Sequence, residues 1–140
     1  MMREITDKPI PELNDLTEGF WKGGQEGRFV VQKCGSCKTH NFYPKPWCIE
    51  CGSRDLEWVE STGVGAVYSF TISRSVAMNY PGWKSELPIV LALIDLEEGV
   101  RLYAQIVDCD PKEVFIGMSV VAFLADLNGD LKIPKFKPAK

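Results

Sequence analysis

Hydrophobic and polar residues alternate along much of the second half of the chain, which predicts β-strands there. In residues 65–73, Tyr68, Phe70 and Ile72 share one face, and we expect that face to be core. Residues 89–96 are nearly all apolar, which is typical of a strand buried on both faces. Further strands are predicted at residues 101–107, 119–125 and 131–136, where Pro134 limits the last one to an edge or a bulge. About five strands with short connections predict a small closed or nearly closed barrel.

The N-terminal part follows a different period. Apolar residues stand at positions 13, 16, 20 and 21, which is helical spacing. Asn14 or Asp15 can cap this helix, and the pair at positions 23 and 24, both glycine, is expected to end or break it. Phe20 and Trp21 then need an apolar surface, which the barrel, the middle segment or a partner protein can supply.

The middle of the chain carries two Cys-x-x-Cys pairs separated by ten residues. The four cysteines are Cys34, Cys37, Cys48 and Cys51. Residues 34–52 are poor in aliphatic side chains, so they cannot form a hydrophobic core and need another cross-link. Two such turns can place four thiolates around one ion, which describes a closed, structural zinc site with no open position for chemistry. We expect Phe42, Tyr43 and Trp47 to surround this site.

Other uses of these cysteines are weaker. Iron in a rubredoxin-type site takes the same ligands and stays open as an alternative. The chain begins without an apolar stretch that could act as a signal peptide, so we expect a cytoplasmic protein in which thiols stay reduced. The longest apolar run, residues 87–94, is far shorter than the ~20 residues of a membrane span. Cys109 stands apart and is expected to be inert.

Charge is unevenly distributed around a net value of -3. The cysteine segment is basic, residues 64–130 carry nine carboxylates against four cations, and the C-terminal tail is basic. An anionic ligand would be drawn to the basic segments. The acidic barrel argues against a single-stranded nucleic-acid site, which needs a basic track with stacking aromatic side chains.

The connection at residues 73–87 is long for a compact domain and rich in apolar side chains. It carries Met78, Tyr80 and Trp83. Long loops of this kind are usually functional or disordered. We treat these three residues, with Phe20 and Trp21, as candidate partner contacts; the alternative is that the loop folds back on the barrel.

No set of catalytic side chains is evident. His40 is the single histidine, which leaves a Ser-His or Cys-His nucleophile without a base. No glycine-rich phosphate loop follows a strand. The sequence therefore gives no reason to expect an enzyme activity of its own.

The order of motifs resembles a family of zinc-ribbon and OB-fold proteins once known only as a domain of unknown function. The resemblance rests on the segments Gly27-Arg28-Phe29-Val30-Val31-Gln32-Lys33-Cys34, Ser61-Thr62-Gly63-Val64-Gly65-Ala66-Val67-Tyr68-Ser69 and Pro134-Lys135-Phe136-Lys137-Pro138, together with the two cysteine pairs. It implies a mainly β fold: an N-terminal arm and helix in residues 1–27, a rubredoxin-like zinc ribbon in residues 28–60, and a five-stranded OB-fold barrel in residues 61–140.

The resemblance also implies a function. Members of this family accompany thiolase-like enzymes as non-catalytic subunits that support the catalytic chain and help to hold or gate CoA. On that basis, the cations of the ribbon are candidates for contacts with CoA phosphates: Lys33, Lys38, Lys45 and Arg54. Two alternatives stay open: a nucleic-acid-binding OB-fold module and a stand-alone acyl-CoA binding protein. The acyl group, the direction of reaction and the stoichiometry are not encoded in any recognisable motif.

Overall fold

The computed structural model describes residues 8–75 and 81–139, with one α-helix, a three-stranded sheet and a five-stranded barrel. The helix is α1 (Glu18–Gln25), and the strands are β1 (Val30–Cys34), β2 (His40–Asn41), β3 (Leu56–Glu60), β4 (Val64–Ser73), β5 (Ile89–Leu96), β6 (Arg101–Ile106), β7 (Ser119–Asn128) and β8 (Leu131–Pro138). Two short 3-10 helices span Pro81–Glu86 and Pro111–Glu113. The fold class predicted from the sequence is confirmed. Neither α1 nor the 3-10 helices are long and apolar enough to cross a membrane.

The barrel closes in the order β4-β5-β6-β8-β7. Neighbouring strands are antiparallel except at the closure, where β6 and β8 meet in a single parallel bridge between Ile106 and Phe136. The part of β6 before Ile106 therefore has a strand partner on one side only. On its other side, the amide of Tyr103 donates a hydrogen bond to Tyr43 Oη of the ribbon at 2.7 Å.

Two expectations about the barrel strands were wrong in detail. A β-bulge between Val67 and Ser69 shifts the register of β4, so Val67 faces the core and Tyr68 is half exposed. The extra residue of a bulge reverses the alternation beyond it. In β5 only alternate residues are buried and Leu91 is 40% exposed, because this strand has one face on the core and the other on the surface.

The ribbon sheet and the barrel share one core. The order of the ribbon sheet is β2-β1-β3. Phe29 immediately precedes β1 and Val31 lies in it. Both belong to the same buried cluster as Val67 and Phe136 of the barrel. The joint between the units is fixed by Glu98, whose carboxylate accepts hydrogen bonds from Ser61 Oγ and the Thr62 amide at 3.0 and 2.7 Å. Ribbon and barrel are thus parts of one packed body.

Helix α1 begins later and ends later than its apolar pattern predicts. Asn14 Oδ1 accepts hydrogen bonds from the amides of Leu16 and Thr17, both at 3.0 Å, so it caps a turn that precedes the helix. The helix continues through Gly23 and Gly24, both buried. A Cβ added at Gly23 would lie 2.9 Å from Val30 Cγ2, so the missing side chain lets α1 approach β1 closely. The glycines that should have ended the helix are used for packing.

Candidate metal centre and binding surfaces

The two cysteine turns have the same backbone conformation. We call residues 34–38 knuckle 1 and residues 48–52 knuckle 2. In each knuckle the fifth residue donates its amide to the carbonyl of the first, at 2.9 Å for Lys38 and 2.8 Å for Gly52. These two residues have φ of 70° and 78°, the left-handed region that glycine adopts without strain and lysine does not. The repeated geometry directs the thiols of both knuckles to a common point.

The four sulfurs lie within 4.8 Å of one another. The Sγ atoms of Cys34 and Cys51 are 3.6 Å apart, as are those of Cys37 and Cys48. Zinc at about 2.3 Å from each of four tetrahedral sulfurs requires sulfur–sulfur distances of about 3.8 Å. The donor set and its spacing therefore fit one tetrahedral ion with no fifth position.

Amides around the sulfurs favour their ionised form. The amides of Cys37 and Ser36 donate hydrogen bonds to Cys34 Sγ at 3.4 and 3.3 Å. These hydrogen bonds lower the pKa of the Cys34 thiol, although burial acts in the opposite direction. Burial raises the pKa of Cys48, but amides of its own knuckle and the Asn41 side chain outweigh it and lower the pKa to about 6. A thiolate is the form that binds a metal.

Cys51 shows why a cation is needed. The Ser53 amide lowers the pKa of Cys51, but the three neighbouring sulfurs and burial together raise it to about 11. Four thiolates cannot share this small space without a positive charge between them, since like charges this close disfavour ionisation. A divalent cation removes the repulsion, so binding of the metal and loss of the last protons are linked.

Asn41 also contributes to the metal centre, although the sequence analysis did not identify it. Its side chain is 1% exposed on β2, between the two cysteine pairs. Its Nδ2 lies 3.5 Å from Cys48 Sγ, and its Oδ1 accepts the Ile49 amide at 3.0 Å. Nothing in the sequence marks this asparagine, because its role depends on strand β2 folding back against knuckle 2.

One of the aromatic residues expected around the metal centre packs elsewhere. Phe42 packs against Phe20 and Phe29, at the barrel core, with ring centroids 5.6 and 6.5 Å apart. Tyr43 and Trp47 are 45% and 48% exposed. The hydrogen bonds at the sulfurs come from backbone amides and from the side chains of Thr39 and Asn41.

The candidate phosphate contacts are spread over the ribbon. Lys33 lies on β1, opposite Glu57 of β3. Lys38 donates its Nζ to the Gly35 carbonyl at 2.8 Å, so its ammonium is held on knuckle 1. The amide and carbonyl of Lys45 are tied to the Gln32 side chain. The Arg54 guanidinium lies 5.6 Å from the centre of the Trp47 ring.

The candidate partner contacts meet at a groove of about 720 Å³ between α1, the ribbon and the barrel. Phe20, Trp21 and Trp83 line it. Met78 and Tyr80 lie outside the described residues. The walls are completed by apolar or uncharged residues, among them Tyr43, Leu91, Tyr103 and Gln105.

A charged cluster lies at one end of this groove. Glu86 contacts the ammonium groups of Lys8 and Lys135, and Lys135 is only 8% exposed. Glu86 also accepts a hydrogen bond from Gln105 Nε2 at 3.2 Å. These contacts tie the 3-10 helix Pro81–Glu86 to β6 and β8, so part of the long connection folds onto the barrel.

Two family models match the chain in succession. The ChsH2 rubredoxin-like zinc ribbon domain matches residues 21–57, and the ChsH2 C-terminal OB-fold domain matches residues 58–123. Curated DUF35 domain-containing scaffold proteins are 33% identical in Methanocaldococcus jannaschii and 40% identical in Pyrococcus furiosus. These matches cover 70% and 72% of this chain and 68% and 72% of the relatives. The chain belongs to the DUF35 family.

Longer relatives also match. A probable enoyl-CoA hydratase alpha subunit from Thermomonospora curvata is 37% identical over 94% of this chain, which spans 40% of that protein. The alpha subunit of 3-oxo-4,17-pregnadiene-20-carboxyl-CoA hydratase from Mycobacterium tuberculosis is 36% identical over 83% of this chain, which spans 36% of its length.

Solved structures of DUF35 proteins have the same fold. A chain from the Ltp2-ChsH2(DUF35) aldolase aligns with a TM-score of 0.84 and 35% identity, over 94% of this chain and all of that one. A DUF35 protein of unknown function from Sulfolobus solfataricus aligns with a TM-score of 0.61 and 20% identity, over 90% of this chain and 87% of that one, a likeness of fold alone.

Proposed function

We propose that this DUF35 protein is a non-catalytic subunit of a heteromeric acyl-CoA enzyme whose catalytic subunit is thiolase-like. The observation that carries the proposal is the likeness, over 94% of the chain, to a chain solved as part of the Ltp2-ChsH2(DUF35) aldolase. Relatives named as alpha subunits of CoA-ester hydratases support the acyl-CoA setting. The closed shell of four sulfurs is consistent with a supporting role, since it leaves no position for a substrate.

The elements of the chain have separate tasks in this proposal. Zinc holds the ribbon in place, and α1, the connection at residues 73–87 and one barrel face dock on the catalytic subunit. The ribbon then lies at the CoA entrance and helps to hold or gate the cofactor. The proposed phosphate contacts are Lys33, Lys38, Lys45 and Arg54, because residues 28–54 carry five cations against one carboxylate.

A nucleic-acid-binding module is the second candidate. Tyr68, Arg101 and Tyr103 are exposed on barrel strands β4 and β6, with the Arg101 guanidinium 3.5 Å from the centre of the Tyr68 ring. Base stacking uses such platforms. Asp95, however, holds the same guanidinium with two hydrogen bonds of 2.5 and 3.1 Å. The charge of Arg101 is therefore already paired, which weakens this platform as a contact for a phosphate backbone.

A pull-down from the native host, with the zinc-loaded chain as bait, tests the proposal. We expect mass spectrometry to identify a stoichiometric thiolase-like protein, and metal analysis to give about one zinc per small chain. The subunit role would be contradicted if the chain is recovered bound to CoA without a partner protein, or bound to nucleic acid that high salt does not remove.

Paired variants locate the docking surface. Trp21→Glu places a charge on α1 in the proposed surface, whereas Ile116→Glu changes a residue that is 68% exposed and does not line the groove. Loss of the catalytic subunit with Trp21→Glu but not with Ile116→Glu supports docking through α1. Equal retention by both variants rules this surface out.

A further inference from the structure

The four cysteines of the metal centre differ in their access to solvent. The first cysteine of each knuckle is buried: Cys34 is 0% exposed and Cys48 is 1% exposed. The second cysteine of each knuckle, Cys37 or Cys51, is exposed. Oxidation of a cysteine requires access to its sulfur as well as thiolate character. A dissolved oxidant therefore reaches one cysteine of each knuckle before the other.

Each exposed cysteine has a buried cysteine of the opposite knuckle beside it. The Sγ atoms of Cys37 and Cys48 are 3.6 Å apart, and so are those of Cys51 and Cys34. A disulfide places its two sulfurs about 2.05 Å apart, so each sulfur of a pair has to move by less than about 1 Å. Both pairs thus combine a sulfur that an oxidant can reach with a second sulfur that can displace the oxidised group.

Backbone amides hold the buried sulfur of each pair in place. Cys34 Sγ accepts hydrogen bonds from the amides of Ser36 and Cys37 at 3.3 and 3.4 Å. Cys48 Sγ accepts one from the Glu50 amide at 3.4 Å. These donors belong to the same two turns as the cysteines. They therefore direct the buried sulfurs to the centre of the cluster, next to the exposed ones.

We propose that the metal centre is also a site of reversible oxidation, at which hydrogen peroxide modifies Cys37 and Cys51. The exposed thiolate attacks the peroxide, its sulfur is oxidised to a sulfenic acid, and one water molecule is formed. The buried thiolate beside it then attacks the sulfenic sulfur, so that a disulfide forms and a second water molecule leaves. Two peroxides and four protons are consumed for two disulfides. Zinc is released, because disulfide sulfurs lack the negative charge that binds it.

The oxidised centre keeps the two knuckles connected. The expected disulfides are Cys34–Cys51 and Cys37–Cys48. Each joins one knuckle to the other, so residues 34–52 keep a covalent cross-link after the ion has left. Phe29 and Val31 then keep their place in the core that ribbon and barrel share. Disulfides within the knuckles would not have this effect, since they leave the two turns unconnected.

Titration of the zinc-loaded chain with hydrogen peroxide tests the proposal. We expect a chromophoric chelator to detect one zinc released for every two peroxides consumed, and a thiol reductant with added zinc to restore the loaded protein. Trypsin cuts after Lys33, Lys38 and Arg54, which places the cysteines of knuckle 1 and knuckle 2 on separate peptides. Mass spectrometry without reduction should find these peptides joined. Two unjoined peptides, each with an internal disulfide, would overturn the proposed pairing.

Dimedone, which reacts with sulfenic acids, identifies the cysteines that are attacked first. With less than one peroxide per chain, we expect the label on Cys37 and Cys51. Labelling mainly at Cys34 or Cys48 would overturn the proposal. Cys109 is the internal control, because it lies outside the cluster and is half buried. It should stay unlabelled at peroxide concentrations that release the zinc, and labelling of Cys109 before that point would show that the metal centre is not the preferred site.

Thermal unfolding tests whether the disulfides replace the ion as a cross-link. In the Cys109→Ser variant, the oxidised, zinc-free chain should melt at least about 5 °C above the reduced, zinc-free chain. Equal melting temperatures would mean that the disulfides do not hold the ribbon, and would overturn that part of the proposal. These measurements use the chain alone, so their outcome does not depend on the catalytic subunit or on the pull-down.

Discussion

Asn41 connects strand β2 to knuckle 2 through one buried amide. Replacing it with leucine keeps a similar volume but removes the contact to Cys48 Sγ and leaves the Ile49 amide without its acceptor. Residues that orient metal ligands typically contribute 10–100-fold to metal affinity, so we expect a loss of about that size for Asn41→Leu. Competition with a chromophoric zinc chelator measures it.

His40 supplies the control for this prediction. It precedes Asn41 on β2 and is partly buried, and its side chain makes no hydrogen bond in the described structure. His40→Leu should therefore change zinc affinity less than about twofold, well below the effect of a lost ligand-orienting contact. Equal losses in the two variants would mean that β2 acts through its backbone, and not through the Asn41 amide.

Glu86 makes stability depend on pH. Burial raises the pKa of Glu86, but hydrogen bonds from Lys8 and Gln105 and the charge of Lys135 outweigh it, so the pKa is lowered. A carboxyl with a lowered folded-state pKa stabilises the fold above the pKa of an unfolded glutamate, about 4.3, and this stabilisation is lost as the pH falls through the folded-state value. Glu86→Gln should cost about 1–3 kcal/mol at pH 7, because it leaves Lys135 buried without its counter-charge.

Urea unfolding of the wild type and of Glu86→Gln, at pH 7 and at pH 3.5, measures this effect. The difference in the free energy of unfolding between the two proteins should be smaller at the lower pH. Acid causes loss of zinc in both proteins, and this effect cancels when the difference is taken. Glu97→Gln, at an exposed hairpin position, is the control and should stay within about 0.5 kcal/mol of wild type at both values. If the difference between wild type and Glu86→Gln is the same at both pH values, the charge of the Glu86 carboxylate contributes nothing to stability.

At the scale of single elements, we expect two alanine substitutions in α1 to change the stability of the protein in different directions. Replacing glycine with alanine inside a helix usually stabilises it by up to about 1 kcal/mol. At Gly19, however, the new Cβ would lie 2.0 Å from Trp58 Nε1, so the indole must move. We expect Gly19→Ala to destabilise the protein by about 1–3 kcal/mol, the usual cost of overpacking. Thermal and urea unfolding measure the change.

Gly24 is the matched position in the same helix. The nearest atom to a Cβ there is the Lys132 carbonyl oxygen at 3.5 Å, an ordinary contact. Gly24→Ala should therefore be neutral or stabilising by up to about 1 kcal/mol. If both alanines stabilise the protein, Trp58 moves without cost and the close approach of α1 to β3 is not needed.

The same helix shows what a sequence pattern can predict about an element. The period of its apolar residues identified a helix near Phe20 and Trp21, because periodicity reflects which side is buried. Its limits were wrong, since Gly23 and Gly24 are tolerated where they pack against other elements. The bulge at Tyr68 has the same origin. Bulges and close packing depend on neighbouring strands that are distant in sequence, so a local pattern cannot include them.

At the scale of the whole molecule, the cluster of four cysteine sulfurs was predictable and the surfaces around it were not. Two Cys-x-x-Cys pairs are local motifs, and their spacing alone indicates a four-sulfur centre. The groove combines Trp21, Tyr43 and Leu91 from three separate elements, and only the fold brings them together. Asn41 and Gln105 escaped notice for the same reason: their roles arise from contacts with residues far along the chain or in a neighbouring strand.

Because ribbon and barrel share one core, removal of zinc should weaken both. Without the ion, the repulsion between thiolates and the lack of apolar side chains leave knuckles 1 and 2 without support. Phe29 and Val31 then lose their fixed position in the barrel core. We expect chelator treatment, or Cys34→Ser, to lower the melting temperature of the whole protein in a single transition. Circular dichroism and hydrogen exchange, with increased exchange in β1, β3 and the adjoining barrel strands, measure this coupling.

The fifth cysteine provides the control for zinc removal. Cys109 lies outside the cluster and is half buried beside the barrel core, where burial raises the pKa of its thiol. Cys109→Ser should keep one zinc per chain and the protection of β1 and β3, whereas Cys34→Ser should lose both. Two separate melting transitions after zinc removal, with the barrel unchanged, would mean that Phe29 and Val31 are dispensable to the barrel. In that case the ribbon could move as a unit on the barrel, which is the property that a gate at a CoA entrance requires.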